Sequence, residues 1–479
     1  MFGGASTILR AAGIAWRALS GSAARQPRAQ IVDAAFVNAH HCVVQARSDR
    51  ETLQVLRLVR RGLRLLNKGT HAGATRLFAK GVTVSNTHTH GSTAWVACNA
   101  MGLSLFLRGE HDDAEAILGQ AQRHCEHLSE QGLINDAFSD MCGVLNDRAA
   151  NLICARNALR TQDAVGMLKR AKFMAERAYR PNHLLIDSLH GNLAVALMQV
   201  NELDQAFDLA QRAVRTGDAM EAVMTGVQDK SSRGTRRALE HVGHSQSLAV
   251  LALIAVKTGQ MQEALATVRR AHEALESLPA PPPPLEAARL YMCLASVHWL
   301  LANKSAVRRT AQQQMGVAAC RLEKALALVQ VPGVRSTHAD HVVCRINATA
   351  ARRCLAYLAG PVARTDTDCV KQETRGRGEK DERKRDFAGT ELAALRRLRK
   401  RLGPDHSLVV HLKDLMASVS KLSVPAPGGV RPGHLSLLPA PVELPVLRCG
   451  LGLHDVMQSL ETHGKQAAPQ ARRQRHAMK

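Results

Sequence analysis

From about residue 53 to residue 420 the apolar positions recur three and four residues apart, in runs broken by short polar stretches carrying Gly, Asn or Pro. That period lays each run along one face of an α-helix, so the chain reads as a succession of helices joined by turns. The clearest unit is Pro181 to Ala213. Its first helix carries Asn192, Leu193 and Ala194 on the packed face, Asn201 and Glu202 form a turn, and Ala206, Ala210 and Ala213 line the face of a second helix. Alanines at those spacings allow two antiparallel helices to approach closely, with Leu193, Leu197 and Leu209 filling the seam.

The same register recurs along the chain. One copy runs through Gly102, Leu105, Gly109, Ala114, Leu118 and Ala121, and another through Ala252, Ala255, Gly259, Ala264, Val268 and Ala271. Weaker copies occupy Asn151 to Ala171, where Ala164 and Ala171 hold the packing positions and Leu159 stands in the turn's place, and Leu63 to Phe78. A further pair, Leu290–Leu301 with Ala318–Ala325, is expected to have an enlarged loop between its helices. Taking Ala114, Ala164, Ala206, Ala264 and Ala318 as anchors, the repeat is roughly 40–60 residues long, more than a minimal 34-residue helical hairpin needs. Padding is expected at Ser231–Gly234 and at the proline run 279–284, neither of which continues a helix.

These units resemble tetratricopeptide (TPR) repeats. The Pro-x-His lead-in to Asn192-Leu193-Ala194, and the Leu402-Gly403-Pro404-Asp405-His406 turn, are similar to the longer repeats of the kinesin-light-chain type. The resemblance implies an all-α, TPR-like helical-hairpin solenoid over residues 53–420, a class that holds protein partners and does not catalyse. It also implies a concave groove lined by first helices, with Asn99, Leu103 and Phe106 in one copy, Val195 and Met198 in the next, and Leu253 in a third. The paired Lys and Asn with which some TPR domains grip acidic carboxyl termini are missing from those positions. A groove of Leu, Phe, Val and Met instead suits an apolar helix, an extended segment or part of the chain itself.

Flanking and inserted segments differ in composition. Residues 1–30 carry Arg10, Arg17, Arg25 and Arg28 and no acidic residue, with Phe2, Leu9 and Trp16 recurring every seven positions. Arg-rich, acid-free and amphipathic is the pattern of a mitochondrial transit peptide, and it points to the matrix or the matrix side of the inner membrane. Residues 31–52 lead from it to the first helix. The last repeat is split between His341–Leu358 and Phe387–Leu402 by a mixed-charge stretch, 364–386, too polar for a core and expected to be a disordered loop. Beyond Lys421, prolines 425, 427, 432, 439, 441 and 445 mark an irregular or polyproline-like tail over 421–479, read as a tether ahead of the alternative of a ligand for another domain, with a short amphipathic helix at Leu453–Leu460.

Apolar residues make up 46% of the 479, enough for a large core, while aromatics at 3% leave that core to Leu, Ala and Val. No apolar run reaches the roughly 18–20 residues that span a bilayer. Eleven cysteines occur without a Cys-x-x-Cys pair. Cys98, Cys154, Cys293, Cys320 and Cys344 fall on predicted helices as small apolar residues, which suits a reducing compartment. The His pairs at 40–41, 88–90 and 338–341 lack a Cys or Glu at metal-ligand spacing, and no phosphate loop, nucleophile elbow or kinase signature occurs. Neither a cofactor nor a catalytic activity is expected.

The formal charge of +23 favours acidic partners, and its densest patch is Arg396, Arg397, Arg399, Lys400 and Arg401. Three functions fit: a scaffold or assembly factor for a mitochondrial complex, a component of a mitochondrial ribonucleoprotein that contacts RNA through its basic surface, and a cytoplasmic adaptor of kinesin-light-chain kind. The scarcity of aromatic rings for stacking bases weighs against the second.

Overall fold

The computed structural model describes residues 50–67, 70–86, 93–130, 137–155, 158–179, 183–225, 234–277, 284–330, 338–359, 380–420, 422, 438–443 and 445–449. The arginine-bearing leader, the insert up to residue 379, the short helix expected at Leu453–Leu460 and the His pairs at 40–41 and 88–90 lie outside them. Fifteen helices and no strand occur among the described residues. They are α1 Arg50–Asn67, α2 His71–Asn86, α3 Ala94–Leu107, α4 His111–Glu130, α5 Ala137–Cys154, α6 Ala158–Ala178, α7 Leu184–Gln199 and α8 Leu203–Thr225. After them come α9 Gly234–Lys257, α10 Met261–Glu276, α11 Pro284–Lys304, α12 Arg308–Val329, α13 Ala339–Ala359, α14 Lys380–Leu402 and α15 Ser407–Ser420.

Each odd-numbered helix up to α11 pairs with the helix after it, and each hairpin packs on the next, so the fold is an α-solenoid of helical hairpins. Three of the hairpins turn in one way. Gly109, Asn201 and Gly259 hold positive φ angles of 70°, 65° and 87°. In each case the amide of that residue bonds three residues back and the next amide five back: Gly109 to Phe106 and Glu110 to Leu105, Asn201 to Met198 and Glu202 to Leu197, Gly259 to Val256 and Gln260 to Ala255. This pair of bonds satisfies the last carbonyls of the first helix and requires a left-handed residue, which Gly, or failing it Asn, supplies most easily.

The helix entering from the turn then presents its alanine three residues in. Ala74, Ala114, Ala206 and Ala264 stand there, all fully buried, and so does Ala311 in α12. The anchor of that hairpin is therefore Ala311, and Ala318 lies seven residues further along, at the position of Ala121, Ala213 and Ala271. Alanines spaced by seven share a helix face, so the period alone does not choose between them. The enlarged loop expected beside Ala318 is absent for the same reason: α11 runs to Lys304 and α12 starts at Arg308. Leu159 also departs from its expected place. It sits in the first turn of α6, 80% exposed.

Gly102 is needed where α3 crosses α4: a Cβ there would fall 2.5 Å from the Cγ of Leu118. Ala164, Ala171, Leu193, Ala194 and Ala252 are buried in the same continuous core. α14 begins at Lys380, so residues 380–386, expected to be loop, are helical. Among the cysteines expected as apolar fillers, Cys98, Cys293 and Cys344 are buried and Cys154 is half-buried, but Cys320 is exposed. No helix among the described residues is long and apolar enough to cross a membrane.

Candidate peptide-binding groove

Polar side chains are buried along first helices that are otherwise apolar. In α7, Asp187 and Asn192 are each within about 1% of full burial, and Asn146 of α5, Ser247 of α9 and Asn347 of α13 are as enclosed to within a percent or two. Burying such groups without partners costs free energy, so their hydrogen bonds define what the helices enclose. The partner is the chain's own proline-rich segment. Residues 438–443 and 445–449 run without regular secondary structure along the first helices, where Leu438, Val442, Val446 and Leu447 are buried.

Two asparagines hold this segment by its backbone. Asn347 donates from Nδ2 to the carbonyl of Val442 at 2.8 Å, and its Oδ1 accepts the Val442 amide at 3.1 Å. Asn192 does the same to Arg448, at 2.8 Å to the carbonyl and 3.0 Å from the amide. One residue's N–H and C=O point the same way only where the backbone is extended, as in a strand pair that exchanges both bonds. The two side chains therefore select an extended chain at positions six residues apart, roughly 20 Å along it. Asn146 adds a bond from Nδ2 to the Arg448 carbonyl at 2.8 Å, and its Oδ1 receives Nδ2 of Asn192.

Further contacts set direction and register. Trp299 of α11 donates from Nε1 to the carbonyl of Pro439 at 2.8 Å, and Nδ2 of Asn303 lies 3.3 Å from the carbonyls of Leu438 and Pro439. Lys257 pairs with Glu443 at 3.1 Å. At the other end the Arg448 guanidinium meets the Asp187 carboxylate and Oγ of Ser247, the latter at 2.6 Å. The segment thus runs against the order of the repeats, its earlier residues on α11 and α13 and its later ones on α5, α7 and α9. Prolines suit this course, because they carry no amide to leave unpaired and their carbonyls still accept.

Among the residues expected to line the groove, Leu103, Phe106, Val195 and Leu253 are buried and Met198 is half-buried, in one continuous core that also takes in Val446 and Leu447 of the segment. Asn99 donates to Asp147 at 3.0 Å, one step from Asn146. Asn192, assigned from sequence to repeat packing, is a backbone clamp. The tail read as a tether is, over 438–449, a bound segment. Asn146, Asp187, Ser247, Asn347, Trp299 and Arg448 belong to no motif in the sequence; Asp187 and Asn192 inside an apolar helix are its one signal of buried polar pairing. Arg396, Arg397, Arg399 and Lys400 of α14 are exposed; the side chain of Arg401 is not among the described ones.

Histidines at helix starts have a structural task. His183, His338 and His406 each accept, through Nδ1, the backbone amide two residues on at 3.2 Å, capping α7, α13 and α15. No cluster of His, Cys, Asp or Glu suited to a metal ion occurs among the described residues.

No family model matches the chain, and no curated protein matches it. Among solved structures, it is similar to the crystal structure of BtubC (BKLC) from P. vanneervenii, at 16% identity over 54% of this chain and 95% of that one, with a TM-score of 0.36.

Proposed function

We propose that the protein is a non-catalytic scaffold that holds an extended protein segment along its concave face, and that it serves as an assembly factor for a mitochondrial complex. The observation that carries the binding function is the double hydrogen bond that Asn192 and Asn347 each make to one backbone residue of the groove segment. Main-chain bonds of this kind give affinity for an extended chain largely independent of its sequence, leaving side-chain pockets to select it. The acid-free, arginine-bearing leader supports the mitochondrial setting.

Titration of the full-length chain, its own residues 438–449 replaced by Gly and Ser so that the groove is open, with a peptide of residues 436–450 tests the groove. Asn192→Ala and Asn347→Ala together should weaken uptake about tenfold or more, because each removes a two-bond clamp. Equal affinity of the open-groove chain with and without the two substitutions would refute the binding function. Fractionation of cells expressing the protein tests the setting, and recovery in the cytosol alone would refute that part.

A further inference from the structure

We propose that this groove reads arginine: a partner enters it as an extended segment with an arginine six residues after a small apolar residue, and the chain's own 438–449 occupies that place until displaced. The inference rests on the groove reading above and adds the partner's chemistry and the competition within the chain.

Arg448 fills a built site. Its guanidinium pairs with Asp187, itself only 1% exposed, and donates to Oγ of Ser247, whose hydroxyl lies 3.3 Å from the other oxygen of Asp187. A second observation is independent of those bonds. A Cβ built on Gly243 of α9 would come within 3.0 Å of the guanidinium carbon and 3.1 Å of Nη1, so the absence of a side chain there makes room for the planar head group. A replacement segment that covers Asp187 again without a cation would leave a buried, unpaired carboxylate, a costly state relieved only by positive charge. Arg meets this need better than Lys, since its planar fork reaches a carboxylate and a hydroxyl together.

Displacement asks little of the remaining fold. The segment makes no helix or strand of its own, and residues 421–437 separate it from α15. Its contacts are those an outside segment of the same pattern reproduces: Val442 between the two bonds of Asn347, carbonyls facing Trp299 and Asn303, and the arginine on Asp187.

The test uses full-length chains and two labelled peptides of residues 436–450, one natural and one with Arg448→Ala, followed by fluorescence anisotropy. In the full-length chain carrying Arg448→Ala the internal segment is weakened, so the natural peptide should bind it about tenfold or more tightly than it binds the unaltered chain. The Arg448→Ala peptide should lose at least that factor, and Gly243→Ala in the acceptor should lower affinity for the natural peptide alone. Should the Arg448→Ala chain lack the helical circular dichroism of the natural one, Arg448→Lys replaces it as acceptor with the same comparisons. Equal binding of the two peptides, still dependent on Asn192 and Asn347, would overturn arginine reading and leave the groove reading standing. Failure of either peptide to bind any acceptor would overturn both, showing 438–449 to be a permanent part of the core.

Discussion

His338 donates from Nε2 to the carbonyl oxygen of Leu107, at 2.9 Å and 231 residues away in the chain. Its other nitrogen accepts the amide of Asp340, so both bonds call for the neutral ring with the proton on Nε2. The start of α13 is thereby tied to the end of α3, and the solenoid is wound tightly enough for early and late hairpins to touch. A small cavity at the junction is lined by Gly109 and His111, Arg289, Asp340 and Leu398. Replacing His338 separates the two duties. His338→Asn keeps an oxygen for capping but does not reach Leu107, while His338→Ala loses both. We expect a loss of about 1 kcal/mol for the first and about twice that for the second by denaturant unfolding. Small-angle scattering should show a larger radius of gyration for both; an unchanged radius would mean the winding is held elsewhere.

Two glycine substitutions should act with opposite sign. Gly102→Ala drives its methyl into Leu118, whose Cγ and Cδ2 would be 2.5 and 2.6 Å away, and should cost roughly 1–3 kcal/mol. A methyl added at Gly166, on the exposed side of α6, would have nothing within 4 Å, so Gly166→Ala should add about 0.5–1 kcal/mol of stability. Melting curves of the pair decide it, and a stabilised Gly102→Ala would contradict the close crossing of α3 and α4.

Acid should loosen the junction before it unfolds the rest. Burial pushes His111 down from 6.5 to about 4, opposed by its hydrogen bond with Asn151 and aided by the nearby Arg289 cation. Burial also lowers His190 and His298. A lowered folded-state value means that the unfolded chain takes up protons first, so the stability is intact above about pH 6.5 and lost as pH falls towards 4. For His111 the loss is on the order of 3 kcal/mol. His111→Gln should flatten the fall between pH 6.5 and 4, and an identical pH profile for both chains would exclude His111 as its source.

Arg289 and Asp340 form a buried ion pair at 2.7 Å between α11 and α13. Burial alone would raise the Asp340 carboxyl, but the adjacent guanidinium prevails and holds it below the usual range. Asp340→Ala strands the Arg289 cation and should cost roughly 3–5 kcal/mol, whereas Arg289→Met with Asp340→Leu should cost much less. Chemical denaturation of the three chains makes the comparison. Equal losses for the single and double variants would show that packing, not charge, governs the contact.

Much of this architecture follows from the chain read residue by residue. The three-and-four spacing of apolar positions defines the helices, and Gly109, Asn201 and Gly259 mark turns because few other residues accept a positive φ. The alanines at 114, 206 and 264 mark the close crossings. These are local properties, set by neighbours within one hairpin. The seven-residue echo of alanine in α12 defeated the same logic, since Ala311 and Ala318 lie on one face and only the position of the preceding helix distinguishes them.

Winding and the identity of the groove belong to the tertiary structure. Whether a first-helix side chain faces a neighbour or a cleft depends on small rotations added from hairpin to hairpin, which no single repeat encodes; hence Asn192, a packing residue by its place in the repeat, is a clamp. The prolines of the tail announce an extended chain but not its destination. That destination depends on Asn347, Asn192 and Asp187, far apart in sequence, arriving at one face with the spacing of an extended backbone, and only the assembled solenoid brings them there.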